Sequence, residues 1–279
     1  MVEDSTGRIL AAHWGQLMAP LTYLEFLLVF FLPPIVLFGV LAAVRNQSWW
    51  GWRPVSGLAV IIGIAVVYTT PWDNLLIAAG VWTYGDGTTL VHFWEAPLGE
   101  YLFFVLQPVL TALWLFQFPT IADMSLGVKA RSRLTGVVAG LAVSAVGYLL
   151  LGTQSTFYLG AILLWSGPIL AIQWGFGWPY LWEIRRTFAI ALAVPTLYYW
   201  AIDRFAIETG IWTISSAHTT GLAILGLPIE EAVFFLMTNI FAIQGLVMYM
   251  WLFDRVDRGD LEAWTVAVRN WTAGTGIEG

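Results

Sequence analysis

Cysteine is absent from the 279 residues, so the chain has no disulfide framework, no thiolate metal site and no thiol nucleophile. Lysine occurs once, as Lys129 between hydrophobic segments, which excludes a seven-helix retinal protein with a Schiff-base lysine inside a span. Charge of either sign is scarce: 11% of the residues are charged, against about 25% in soluble domains. The dinucleotide fingerprint is missing, because Gly175-Phe-Gly lacks a third glycine and lies at the end of a membrane helix, and there is no phosphate loop. His92 and His218 have no partners at ligand spacing, so no metal is expected. Neither a cofactor nor nucleic acid is expected as a partner.

What is abundant is apolar. Hydrophobic residues make up 59% of the chain, against about 45–50% in soluble domains, and several runs approach the roughly 20 residues that cross a bilayer as a helix. The expected fold is all-α and integral to the membrane, with the lipid bilayer as its surroundings. Residues 1–20 mix polar and apolar types without a basic start and an apolar stretch, so no cleavable signal is expected. Seven transmembrane helices are expected near residues 21–44, 55–70, 97–118, 134–151, 156–176, 187–202 and 228–253. Pro33-Pro34 should kink the first, Pro71 should end the second, and Trp49, Trp50 and Trp52 read as an interfacial belt.

Two stretches repeat each other. Asp73, Gly80, Trp82 and Thr83 match Asp203, Gly210, Trp212 and Thr213 at an offset of 130. Pro97, Glu100, Phe103 and Phe104 match Pro228, Glu231, Phe234 and Phe235 at an offset of 131, the extra residue being a loop difference. Aligning Tyr23-Leu24 with Tyr158-Leu159 also aligns Pro33 with Pro168. Such register points to an internal duplication. The expected organisation is an N-terminal tail (1–20), a first three-helix repeat (21–118), a linker with the fourth helix (119–155), a second three-helix repeat (156–253) and a C-terminal tail (254–279). One helix between two sets of three makes the repeats parallel, with both Pro-x-x-Glu motifs on one side. Ten Lys and Arg (Arg45, Arg53, Lys129, Arg131, Arg133, Arg185, Arg186, Arg255, Arg258, Arg269) would lie inside and two (Arg8, Arg204) outside. This charge bias puts the N-terminus outside and the C-terminus in the cytoplasm.

Glu100 and Glu231 each fall about one turn into a helix that opens with proline. A lone carboxylate there could simply favour the helix N-terminus; a pair at equivalent positions points to function, since ionisable groups in spans are costly. Gln107 and Thr238 lie seven residues on, on the same helix faces. Phe103, Phe104, Phe234 and Phe235 flank those faces, where aromatic quadrupoles can stabilise a cation, or simply pack. A carboxyl in such apolar surroundings can hold a proton for transfer. Glu230 adds a second carboxylate beside Glu231, where the first repeat has Gly99. Asp73 and Asp203 at helix ends, with Trp82 and Trp212, are supporting candidates; Glu25 and Asn239 are weaker ones.

These motifs, Pro97-Leu-Gly-Glu-Tyr-Leu-Phe-Phe, Pro228-Ile-Glu-Glu-Ala-Val-Phe-Phe, Pro71-Trp-Asp-Asn and the two Gly-x-Trp-Thr segments, resemble the membrane lycopene β-cyclase family over about residues 23–253. That family occurs as two small bacterial subunits, as a fused chain in archaea and as a domain in fungi, where it continues into a phytoene synthase. The chain looks like the fused prokaryotic form. The resemblance implies lycopene or a related carotenoid as substrate, redox-neutral ring closure to β-carotene, and a prokaryotic cell membrane as location. It implies Glu100 and Glu231 as acid and base with Glu230 beside the second, and allows partners among further copies of the chain or other carotenoid enzymes. Gly99 departs from a family that often has an acid there; Glu231 with Glu230 is then the stronger site, and Glu95 could compensate in the first. A cyclase for a C50 carotenoid or for an ε- or γ-ring fits the same residues. A non-catalytic carotenoid binder is the rival from another class, and a transporter fits less well because no charged pair lies mid-span.

Overall fold

Thr22 starts the first helix with a reciprocal cap: its hydroxyl accepts from the Glu25 amide at 3.2 Å, and the Glu25 carboxylate accepts from the Thr22 amide at 2.8 Å. Glu25 is therefore a capping residue. The structure, a computed structural model, describes residues 21–45, 51–118, 123–260, 265, 266 and 269. The N-terminal tail, Trp49, Trp50 and most of the residues after 260 lie outside the described residues.

Among the described residues seven long helices follow in chain order: α1 (Tyr23–Arg45), α2 (Trp52–Ala78), α3 (Leu98–Leu115), α4 (Ala130–Leu150), α5 (Phe157–Glu183), α6 (Arg185–Glu208) and α7 (Ile229–Asp257). All but α6 are long and apolar enough to cross a membrane. α1 is interrupted at Phe31, just before Pro33-Pro34, whose missing N–H groups cannot continue the ladder. α2 does not stop at Pro71 but runs on to Ala78, which brings Asp73 inside the helix. An apolar setting tolerates the lost hydrogen bond where neighbouring helices support the chain. α6 likewise extends past the expected end and carries Asp203 as a helical residue. α5 continues to Glu183 with a break at Gly177, and α7 reaches Asp257. Its end is held because the buried Arg255 pairs with Asp123 at 2.5 Å and Asp254 at 3.0 Å, so residues 254–257 are not a frayed tail.

α4 and α5 form a close hairpin. Gly136, Gly140 and Gly147 of α4 meet the backbone of Trp174-Gly175, Ala171 and Leu164, and Gly167 of α5 meets Ser144. A Cβ at Gly140 would collide with the Ala171 main chain, which cannot swing aside as a side chain can. Small residues allow such approach, and packing is what holds membrane helices together. Gly140→Leu is expected to cost about 2 kcal/mol or more through overpacking; a thermal unfolding curve in detergent compared with Ala139→Leu, at an exposed neighbour, checks it.

Short strands join the helices at one end. β1 (Trp82–Tyr84) pairs antiparallel with β4 (Trp212–Ile214). The register is Trp82↔Ile214, Thr83↔Thr213 and Tyr84↔Trp212. Thr83 therefore faces its own counterpart, and exchanging the two strands reproduces the same pairing. β2 (His92–Phe93) and β3 (Ala96–Pro97) form one tight hairpin, and β5 (Ala223–Ile224) and β6 (Leu227–Pro228) the matching one. Both turns carry a non-glycine residue in left-handed backbone, Trp94 at φ 66° and Leu225 at φ 51°. Helix side chains hold these unfavourable turns. Asn74 accepts from the amides of Glu95 and Ala96 at 2.8 and 2.9 Å, and Arg204 donates to the Leu225 carbonyl. Asn74 follows Asp73 as Arg204 follows Asp203.

Candidate active site

Each hairpin delivers the chain to a helix start. Pro97 caps α3 and Pro228 caps α7, both extended and both without an N–H to satisfy. Glu100 and Glu231 then fall in the third helical position of α3 and α7. Asp73 and Asp203 approach from α2 and α6. All four carboxyl groups line one cavity with Tyr23, Tyr158, Trp82, Trp212, Phe103, Phe234 and Phe235. Phe26, Phe31, Ile202 and Ile214 complete the wall. Among the described residues, no Lys, Arg or His lies on it. Four carboxyl groups thus share one aromatic-lined cavity.

The two halves resemble each other in outline. The amide of Tyr23 donates to the Thr88 carbonyl at 2.7 Å, and that of Tyr158 to the His218 carbonyl at 3.1 Å. These bonds fix the starts of α1 and α5, and place Tyr23 beside Glu100 and Tyr158 beside Glu231. The halves differ in hydrogen bonding. The Tyr84 hydroxyl donates to Glu100 Oε1 at 2.7 Å and accepts from the Trp82 indole at 3.0 Å. Desolvation, and after it the neighbouring Glu100, push the Tyr84 hydroxyl well above its ordinary range, so it stays a donor. In the other half the Trp212 indole donates to Asp203 Oδ1 at 3.0 Å, and Glu231 Oε1 has no hydrogen-bond partner. Asp73 Oδ2 and Asp203 Oδ2 are likewise buried without partners.

The structure brings together most of the residues singled out by sequence, but not all. Glu230 is fully buried yet turns away from the cavity, where its carboxylate accepts from the Thr220 amide at 2.7 Å. Glu230 stays near enough to Glu231 for their charges to interact, although it is not part of the cavity lining. At the matching position a side chain on Gly99 would strike the Tyr23 ring. Glu95 is exposed at the β2–β3 turn and does not line the cavity. Phe104 is buried behind Phe103, with ring centroids 6.4 Å apart. Gln107 and Asn239 meet beneath the cavity: Gln107 Nε2 donates to Asn239 Oδ1 at 2.7 Å, Thr111 donates to the same oxygen at 2.7 Å, and Asn239 Nδ2 donates to Thr196 at 3.1 Å. Tyr199 adds a bond to the Gln107 carbonyl at 3.0 Å. This buried network ties α3, α6 and α7. Thr238 stands apart, donating to the Phe235 carbonyl of its own helix at 3.2 Å.

Tyr23, Tyr84 and Tyr158 are site residues that sequence reasoning missed. The Tyr23–Tyr158 match was available as a signal, since it pairs the first and fifth helices. Trp72 also went unassigned. It stacks on Phe234 at 5.8 Å and 7° and on Trp165 at 4.8 Å and 23°, which extends the aromatic wall toward α5.

The chain is 46% identical over 235 residues to proteins named lycopene beta-cyclase from two strains of Halobacterium salinarum, covering 84% of this chain and 98% of each relative. It is 36% identical over 220 residues to a bifunctional lycopene cyclase/phytoene synthase of Gibberella fujikuroi, covering 75% of this chain and 37% of that protein. The corresponding Aspergillus niger protein is 35% identical over 199 residues, covering 68% and 34%. No protein-family model matches the chain. No solved structure matches it either.

Proposed function

The chain belongs to the lycopene β-cyclase family, and we propose that it closes the acyclic ends of lycopene into β-rings in the cavity between Glu100 and Glu231. The observation that carries this reading is one aromatic cavity holding both glutamates. One glutamic acid gives its proton to the terminal double bond, leaving a tertiary cation. The neighbouring double bond attacks that cation, a carbon–carbon bond closes the ring, and the positive charge moves to the far carbon of the attacking bond. The other glutamate, as carboxylate, removes a proton from the carbon where the ring has just closed, and a ring double bond forms. Atoms are conserved and no electrons are gained or lost. Phe103, Phe234, Phe235, Trp82 and Trp212 present faces to the passing cation, each worth about 0.5–2 kcal/mol when desolvated. A proton passing back between the carboxyl groups resets the pair.

A single cavity takes one end of the carotenoid at a time, so β-carotene would require two successive visits. α6 is read as a seventh span, and the helices as two parallel repeats of three joined by α4. The support is the self-matching β1–β4 register and the paired hairpins. The excess of Lys and Arg on the loops away from the hairpins supports an outer location for the cavity end, with the N-terminus outside.

Pigment analysis of lycopene-producing cells carrying the chain tests the activity. Lycopene is expected to fall and β-carotene to accumulate. Unchanged lycopene with the protein abundant in the membrane would overturn the reading.

A further inference from the structure

The internal symmetry is broken at one hydroxyl. Equivalent tryptophans, Trp82 and Trp212, aim their indole N–H groups at different acceptors. In the second half the acceptor is Asp203 itself. In the first half it is Tyr84, whose hydroxyl passes the interaction on to Glu100 at 2.7 Å. The residue at the Tyr84 position of the second half is Ile214, which has no polar atom to offer. Each glutamate has one tyrosine from a helix start beside it, Tyr23 or Tyr158. Glu100 alone has a second. Its carboxyl is held by two tyrosines, Tyr84 and Tyr23, whereas Glu231 has Tyr158 alone and keeps a bare Oε1.

Tyr84 is itself fixed on several sides. Its main chain lies in the β1–β4 pair opposite Trp212, its ring lies 6.2 Å from the Tyr23 ring at 27°, and His92 meets it edge-on at 6.5 Å. It is not on the cavity wall, so it reaches the substrate only through Glu100. A hydrogen bond from an O–H favours the carboxylate over the acid and fixes the direction of the free lone pairs. The tertiary cation formed on ring closure can lose a proton from three places. Loss from the carbon of ring closure gives a β-ring, loss from the ring methylene on the other side gives an ε-ring, and loss from the attached methyl gives a γ-ring. All three are balanced by the same carboxylate taking one proton. Which one leaves is decided by where the base stands, because proton transfer needs a donor and acceptor within hydrogen-bond reach.

We propose that Tyr84 is the positioning residue that sets the ring type: by orienting Glu100 as the base it directs proton loss to the carbon of ring closure, while Glu231, free of that bond, is the acid. This assignment rests on the cyclase reading above. It makes the two halves unequal partners in one reaction.

The test is the ring composition of the pigments made from lycopene by the native chain and by Tyr84→Phe, with membrane protein measured for both. With the hydroxyl gone, Glu100 keeps only the Tyr23 contact and loses the donor that sets its direction, and the share of ε- and γ-ends is expected to rise about tenfold, the scale of one hydrogen bond to a charged group. Such ends have one fewer conjugated double bond and absorb at shorter wavelength. Trp82→Phe, which removes the donor to the Tyr84 oxygen, is expected to move the composition the same way by a smaller factor, and it serves as the second variant if Tyr84→Phe does not accumulate. If both variants make only β-rings, at whatever rate, the proposal is overturned. If the native chain makes no ring at all, the cyclase reading fails first, and the two failures are thereby told apart.

Discussion

Glu231→Gln is expected to slow ring closure by at least about 100-fold, the lower end of what a positioned acid contributes. Glutamine keeps the volume and an oxygen at the same place but cannot give up a proton to an alkene. Glu231 is buried, lines the cavity and has an oxygen with no protein partner, so its loss disturbs no internal hydrogen bond at that atom. Asp73 and Asp203 share the cavity but are held on α2 and α6, away from the α7 position that Glu231 occupies. Among the described residues the wall carries no Lys, Arg or His, and Asp203 accepts at Oδ1 from the Trp212 indole at 3.0 Å. The amount of β-carotene per unit of membrane protein, read by chromatography at early times, checks the size of the effect. An activity within a few-fold of native would show that Glu231 is not the acid.

The second large effect concerns Glu100. Glu100→Gln is expected to fall to a similar level, and the double variant to fall little further than either single one. Residues that act as a unit are strongly non-additive, because once one step fails the other group has nothing to act on. The shared cavity is the reason: both glutamates face the same volume, and a single ring end needs one to give and the other to take a proton. Had the duplication produced two separate sites, each single variant would keep about half of the activity, and only the double variant would lose both halves.

How far these residues could be read from the chain depends on the scale of the signal. Glu100 and Glu231 were legible because the Pro-x-x-Glu pattern recurs in register, and Asp73 and Asp203 because they share an offset with the Gly-x-Trp-Thr segments. The wall aromatics Phe103, Phe234 and Phe235 followed from helical spacing. Pro71 misled, since proline ordinarily ends a helix, yet α2 passes through it and carries Asp73 inward. The hairpins were invisible: strands of two residues have no alternation to read, and the turns Trp94-Glu95 and Leu225-Gly226 depend on Asn74 and Arg204 from distant helices. Glu230 is legible as a neighbouring charge of Glu231, but its hydrogen bond to the Thr220 amide, across the β5–β6 hairpin, has no signal in the sequence. Tyr84 was passed over too. Its counterpart is Ile214, so it reads as divergence between the repeats, and its importance lies in a bond to a glutamate sixteen residues away.

The central claim is that Glu100 and Glu231 serve one reaction in one cavity. The most direct measurement is the initial rate of first ring closure by Glu100→Gln, in membranes loaded with lycopene and normalised to protein. The account predicts a rate at least about 100-fold below native, as for an acid–base partner that cannot be spared. A rate near half of native would contradict it, and would mean that each half of the chain closes rings on its own.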